Sequence, residues 1–511
     1  MRTPCLRGKA ALARQRGQAL AFALIFLVVG ALALFTAFNA SQLSSAKTKL
    51  QNTADATAYS VAVLQARDYN FAAYTNRAMV ANQAAVAQVL SLKSWIDEVS
   101  ETAQSDHVTD TLIDIFADLG EVEWNLPKQT ARPIISPLKS TIDSLAPTVV
   151  KGLDILNWSL SEAQQAYHLT TMLSYPLVAK EVAQANEPNT TADEGYMATL
   201  GAPKLLAWKN YVTRTDPKQQ ASGGGGSDRF ADVVTDKDTL DNFVPERGKI
   251  RTPTVASTAE KGCVGAVFSF MAVGEPHSGA TQLRPDLGGW EALDGTAAIG
   301  DLTCIWATPV GPVGFTFPII ESLGRGGAAN GPGGSYSGRS GYNNTGHIGD
   351  AIVSAATVAT FMQYETGPGS SLDNSSRAGL QPYYDLSDPN KAAPGTGTEN
   401  FNRAPTITLQ VKRNVDTTRT TKTMQVGVGR TQLDEAAPSS ELRALSSASA
   451  YFIRPRSTGG PGGLLNAAAW RRGDNRFEYP SLFNPYWQPS LVDTSATDLE
   501  AAAVAQAAGA P

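Results

Sequence analysis

Apolar positions crowd the start of the chain. Gly17 to Ala46 carries no charged side chain, and within it Ala19–Ala40 is a run of 22 residues broken only by Thr36 and Asn39. A helix crossing the roughly 30 Å hydrocarbon layer needs about 20 residues. A lone segment in hydrocarbon must satisfy its own backbone hydrogen bonds, so the run predicts a membrane-spanning helix. Past it, Leu43, Ala46, Leu50, Ala54, Ala58, Val61 and Leu64 recur at steps of three or four, which gives one apolar helical stripe. Its many alanines permit close helix approach, and the stripe suits a sibling subunit or the chain's own later helices equally well. Gln42 to Glu98 contains neither Pro nor Gly. That stretch is expected to be one helix reaching about 85 Å, or a hairpin broken near Arg67–Asn70.

Helical patterning continues over Val108–Ala117 and, with interruptions, Leu138–Ala185, so residues 47–215 read as a helical stalk or bundle. Asn70, Asn76 and Asn82 read as a solvated face rather than a polar ladder. The pattern changes near residue 216. Ser222–Ser227 is a flexible linker by composition, and residues 216–262 are expected to be irregular. Short strand-like runs follow at Val264–Val273, Thr303–Thr308 and Phe315–Ile320. Thr406–Lys412 and Thr423–Val428 alternate in period two and are expected to pair as a hairpin. Ser439 is expected to cap a helix through Phe452. Ten glycines in Gly324–Gly349 suggest a long loop. Phe477–Trp487 reads as an aromatic strap, and the last residues as a frayed tail. The expected class is α+β: a transmembrane helix running into a helical stalk, then a β-rich, loop-rich domain. The expected segments are a leader (1–16), anchor (17–46), helical region (47–215), linker (216–262), β-rich domain (263–455), and strap with tail (456–511).

Charge adds orientation. Arg2, Arg7, Lys9, Arg14 and Arg16 precede the anchor, and the first acidic residue is Asp55. Such a bias keeps the N-terminus in the cytoplasm and exports the rest. The exported part carries 37 of the 42 cations against all 47 anions, an acidic balance that argues against nucleic acid as a partner. With 42% hydrophobic and 17% charged residues among 511, the chain can bury a core.

Catalytic chemistry is sparse. The four histidines, His107, His168, His277 and His347, stand apart, and no H-E-x-x-H, G-x-S-x-G or P-loop pattern occurs. Glu275-Pro276-His277 and His347-Ile348-Gly349-Asp350 are too short to argue a metal site. Gly324–Ala329 fits G-x-G-x-x-A, but Gly, Pro and Ser follow where phosphate binding needs a helix. No catalytic residue, cofactor or metal is expected. Of the three cysteines, Cys5 lies in the leader. Cys263 and Cys304 could bridge in an oxidising periplasm, stabilising by roughly 4 kcal/mol for a loop of about forty residues.

Two motifs flank the anchor: Arg16-Gly17-Gln18-Ala19-Leu20 before it, and Lys47 to Ala58, KTKLQNTADATA, after it. Together, and in this order, they resemble the N-terminal segment of TadE/TadG-like proteins of bacterial Flp (tight-adherence) pilus assembly, over about residues 14–62. The resemblance implies a single-pass inner-membrane protein with a periplasmic bulk. Its partners would be the membrane and other pilus-assembly subunits, and its motif residues would be Arg16, Gly17, Leu50, Gln51, Ala54 and Asp55. It also marks Gly17 and Gln18 as a possible processing site. Leaders cut by prepilin peptidase usually carry Glu five residues after the glycine, where this chain has Phe22, so the unprocessed form is expected. The D-x-S-x-S metal loop frequent in such proteins does not occur. The sequence therefore points to a non-enzymatic scaffold or contact subunit. The alternatives are a surface-exposed minor pilin or adhesin processed after Gly17, and a membrane-tethered periplasmic hydrolase.

Overall fold

The computed structural model describes residues 16–104, 122–223, 228–245, 247, 251–257, 268–275, 277–333, 371–387, 402–426, 441–453 and 479–507. Two long helices open it, α1 (Arg16–Gln104) and α2 (Val122–Asn186). Short elements follow: β1 (Thr190–Ala192), α3 (Glu194–Thr199), α4 (Ala202–Tyr211), β2 (Val212–Thr215), α5 (Pro217–Ser222) and α6 (Arg229–Thr235). Then come β3 (Arg251–Ser257), β4 (Phe268–Glu275), β5 (His277–Leu283), β6 (Trp290–Thr308) and β7 (Gly311–Ala329). The chain continues through β8 (Tyr383–Leu386), β9 (Ile407–Asn414), β10 (Glu441–Phe452) and β11 (Trp487–Val492) to α7 (Ala496–Ala507). The class is α+β: an apolar N-terminal helix, a helical region, and a strand-rich C-terminal region.

Contacts divide the chain into two units. One comprises Met1–Phe71, Ala166–Thr213 and Leu386–Pro511; the other comprises Ala72–Gln165 and Arg214–Asp385.

In the first unit, an antiparallel sheet in the order β1-β9-β10-β11 meets helical residues of α1 and α2. Leu50, Ala54, Ala183, Val411 and Ala444 form a common core, with Leu442 packed against it. The small side chains on both sides let helix and strand come close. A second cluster is aromatic. The Trp487 ring lies 4.9 Å from Tyr69, 5.4 Å from Phe452 and 6.1 Å from Tyr211, all in edge-on arrangements. The described part of the expected aromatic strap is thereby largely buried, with Leu482, Phe483, Tyr486 and Trp487 inside and Tyr479 outside.

In the second unit, the sheet order is β3-β4-β6-β5, with β7 pairing β6 along its whole length. Trp290, Phe230, Val234, Val244 and Leu380 are buried. A buried ion pair organises one end. Arg247 meets Asp294 in bidentate geometry (Nε to Oδ1 2.8 Å, Nη2 to Oδ2 2.7 Å), and its Nη1 donates to the Thr281 hydroxyl and the Phe243 and Val244 carbonyls. Ser94 of α1 donates to Asp294 as well. Fully desolvated charges are tolerated only with this degree of hydrogen-bond satisfaction.

Several expectations are corrected. The helix α1 does not break at Arg67–Asn70, and α2 passes Pro147 and Pro176 without interruption. The described part of the expected second strand, Thr423–Val426, lies in a turn and does not pair with Thr406–Lys412; β9 pairs with β10 and β1, and Gly427 and Val428 lie outside the described residues. The stretch after Ser439 is not a helix but strand β10, whose buried Ala444, Ser446, Ser447, Ala448, Ser449 and Ala450 carry little β-propensity of their own. Burial decided its state. Residues 216–262, expected to be irregular, carry α5, α6 and β3, the two helices capped by Asp216 and Asp228. Gly324–Ala329 is the end of β7 rather than loop. A Cβ on Gly326 would collide with the Ser94 carbonyl, so this glycine serves a close approach of strand to helix. Most of the expected frayed tail is helix α7. Val108–Ala117, the rest of the 324–349 segment, His107, His347 and Cys263 lie outside the described residues.

Candidate functional site

The apolar run forms the first turns of α1. From Ala19 to Gly30 every residue is exposed, and Phe26 is 74% so. A helix apolar on all sides and uncovered by its own chain is stable only in an apolar surrounding. It is long and apolar enough to cross a membrane. Its one internal hydroxyl, on Thr36, donates back to the Ala33 carbonyl at 2.9 Å and so needs no water. Asn39 is buried: its Nδ2 donates to the Thr421 hydroxyl at 2.8 Å, and its Oδ1 accepts from the Thr421 backbone N–H at 2.9 Å. Cover begins just before it, on one face, where Ala31, Phe35 and Phe38 are half-buried.

The post-anchor motif divides between interior and surface. Leu50 and Ala54 are buried in the first unit's core, and so are Ala46, Ala58 and Val61 of the same stripe. The stripe thus packs on the chain's own sheet and on α2. Gln51 stays at the surface, where its Nε2 donates to Asp55 at 3.0 Å and to the Leu445 carbonyl at 2.9 Å. Asp55 therefore takes an intrahelical partner, and no kink occurs there. Arg16 and Gly17 open α1, with Gln18 next; their side chains lie outside the described residues.

Beyond the motif, the stripe turns polar. In the first unit, Gln65 is fully buried; its Nε2 donates to the Pro405 carbonyl and its Oε1 accepts from the Ala450 N–H at 2.8 Å. Asn70 clasps Trp487 in the same two-handed way, donating to its carbonyl and accepting from its N–H. Asp68 meets His168 Nδ1 at 2.7 Å, a buried pair that gives this histidine a structural place. In the second unit, Asn76 donates to the Tyr384 carbonyl, Asn82 to Asn157, and Gln83 to the Gly379 carbonyl while accepting from the Trp290 indole. The expected solvated asparagine face is therefore corrected. These side chains satisfy irregular and edge backbone that no ladder serves. The signal was present in the sequence: Gln65 continues the Leu50, Ala54, Ala58, Val61 spacing.

One carboxyl group of the second unit is electrostatically unusual. Asp154 on α2 is fully buried, accepts from Asn330 Nδ2 at 3.0 Å, and faces Asp373. Burial, with Asp373 adding repulsion, pushes its pKa up to about 7 against the lowering pull of Asn330 and Lys218. Lys218, itself pushed down by burial, donates to the Ser376 and Ala378 carbonyls. Sequence patterns gave no hint of this cluster, whose members are scattered from 154 to 373. No group of three His, Cys, Asp or Glu side chains suited to a metal occurs among the described residues. Cys304 is buried on β6 and disulfide-bonded.

Residues 17–66 match the family described as putative Flp pilus-assembly TadE/G-like. The match covers the N-terminal segment, from the start of the apolar helix to one residue past Gln65. No curated protein and no solved structure matches the chain.

Proposed function

We propose that the protein is a non-enzymatic, single-pass inner-membrane component of an Flp-type pilus-assembly apparatus, working as a scaffold or contact subunit. The observation that carries this reading is the coincidence of the family match with the uncovered apolar helix: one segment holds both. The five leader cations favour a cytoplasmic N-terminus and a periplasmic bulk. The disulfide at Cys304 supports an oxidising compartment, and Cys263 is its proposed partner. Arg16, Gly17, Gln51 and Asp55 are the motif residues proposed to meet other subunits.

The test is capture of the full-length protein from membranes, alongside a variant whose residues 19–38 alone are replaced by an unrelated spanning helix, which leaves the Leu50 and Ala54 core intact. Pilus-assembly subunits should co-purify with the first and be lost from the second. Equal recovery would refute the assembly role of this segment. Reporter fusions at the C-terminus should be active only outside the cytosol, and a mature chain beginning at Gln18 would support the processed-pilin alternative instead.

A further inference from the structure

The reciprocal pair between Asn39 and Thr421 joins residues 382 positions apart, just where the apolar run of α1 ends. Ala19 to Phe38 spans about 30 Å at the helical rise, the thickness of the hydrocarbon layer. A helix that fills this layer places Asn39 at the boundary with the lipid headgroups. Thr421 sits in the turn after β9, which is built for rigidity. Thr418, Thr420 and Thr421 are buried; the Thr423 hydroxyl donates to the Thr418 and Thr420 carbonyls; and the Val426 N–H closes back on the Thr421 carbonyl. The turn exposes Arg419, Lys422, Thr423, Gln425 and Val426, the last 42% exposed. A guanidinium, an ammonium, an amide and one aliphatic side chain suit the zone where phosphates and glycerol meet acyl chains. Ala31, Phe35 and Phe38 are half-buried along one face of the outer turns of the apolar run.

From this geometry we propose that the Thr418–Val426 turn is a headgroup-level collar, held against the end of the apolar run by the Asn39 clasp, so that the turn itself lies in the bilayer interface. The inference rests on the membrane-spanning reading of α1 and on nothing about pilus partners. The ligand is the phospholipid interface.

The test uses the full chain, with Cys5→Ser, in phosphatidylcholine vesicles carrying nitroxides either on the headgroup or at the acyl-chain end. A fluorophore is attached at Leu27→Cys, Val426→Cys or Arg419→Cys. The Leu27 label should be quenched several-fold more by chain-end nitroxides. The Val426 and Arg419 labels should be quenched several-fold more by headgroup nitroxides. Asn39→Leu, and separately Thr421→Val, should lower headgroup quenching at Val426 at least threefold while leaving the Leu27 signal in place. Quenching at Leu27 with none at Val426 or Arg419 would overturn the collar alone. An unquenched Leu27 would overturn the spanning helix and the collar with it. Undiminished quenching at Val426 in both clasp variants would overturn the role of Asn39.

Discussion

Gln65 offers the sharpest test of the idea that polar side chains on α1 hold irregular backbone. Its amide satisfies two main-chain groups at once, the Pro405 carbonyl at 3.1 Å and the Ala450 N–H at 2.8 Å. Gln65→Leu keeps most of the buried volume but strands both groups. Each orphaned buried group costs about 1–3 kcal/mol, and relaxation recovers part of it, so about 2–4 kcal/mol is expected. That is roughly 30- to 1,000-fold in an opening equilibrium. A chain of two units need not melt as one, so hydrogen exchange at the Ala450 amide and its β10 neighbours, in detergent-held full chain, is the suitable assay. Gln65→Glu adds a control with a sign. A neutral carboxyl can donate to Pro405 and accept from Ala450 as the amide does, whereas a carboxylate cannot donate. Burial raises the pKa of that carboxyl, so its stabilising form is present at low pH and lost as pH rises through the folded value. Protection in Gln65→Glu should approach wild type near pH 5 and fall toward Gln65→Leu near pH 8. Wild-type protection in Gln65→Leu would refute the reasoning.

Three further outcomes follow from the second unit. Asp154 has a folded pKa raised to about 7 from 3.8, so its destabilising charge appears as pH rises through that range, at a cost of up to about 4 kcal/mol by pH 8. Asp154→Asn should therefore stabilise the unit at pH 8 and flatten its pH dependence in urea unfolding monitored by exchange at β6. Arg247→Met removes the buried guanidinium that neutralises Asp294, and should cost about 3–5 kcal/mol; Arg247→Met combined with Asp294→Leu should recover much of that, as a double-mutant cycle would show. Gly326→Val drives a side chain into the Ser94 carbonyl, and should lower the unfolding midpoint more than Gly152→Val, where nothing stands within 4 Å and the backbone φ is not positive.

How much of this was legible in the sequence depended on whether a local rule agreed with the tertiary one. The long apolar helix was legible because its length and apolarity are carried by contiguous residues, and the alanine stripe because helical period and burial coincide. The strand β10 was not. Ser446, Ser447, Ala448, Ser449 and Ala450 look like a helix on propensity, and become a strand because their small side chains fit between neighbours that only the fold brings together. Gly324–Ala329 failed for a related reason. Glycine signals looseness in isolation, but Gly326 marks tight approach. The Asp154 cluster left no trace because its spacing exists only in three dimensions.

The fate of the post-anchor motif constrains any account of assembly. Leu50 and Ala54, the apolar members, are spent inside the chain's own core against Ala183, Val411 and Ala444. They are unavailable to a sibling helix unless the first unit opens, and opening would expose the core that the same residues create. What the motif leaves at the surface is polar: Lys47, Lys49, Gln51 and Asn52, with Tyr59 one turn on. Recognition built there would be weak in buried apolar area and would rely on hydrogen bonds and charge, so it would fall as salt rises. Within the matched segment the strongly apolar surface is that of Ala19–Gly30, while α2 exposes apolar side chains of its own, among them Ile134, Leu145, Leu169 and Leu173. If this segment associates with a sibling helix at high affinity, the face for it lies in the apolar run, through Ala19, Ala23 and Gly30, where small side chains on one side admit close approach. Subunit capture that survives high salt but is abolished by bulky substitutions at these small residues would follow from this division. Capture lost in salt alone would place the contact outside, on Gln51 and its neighbours.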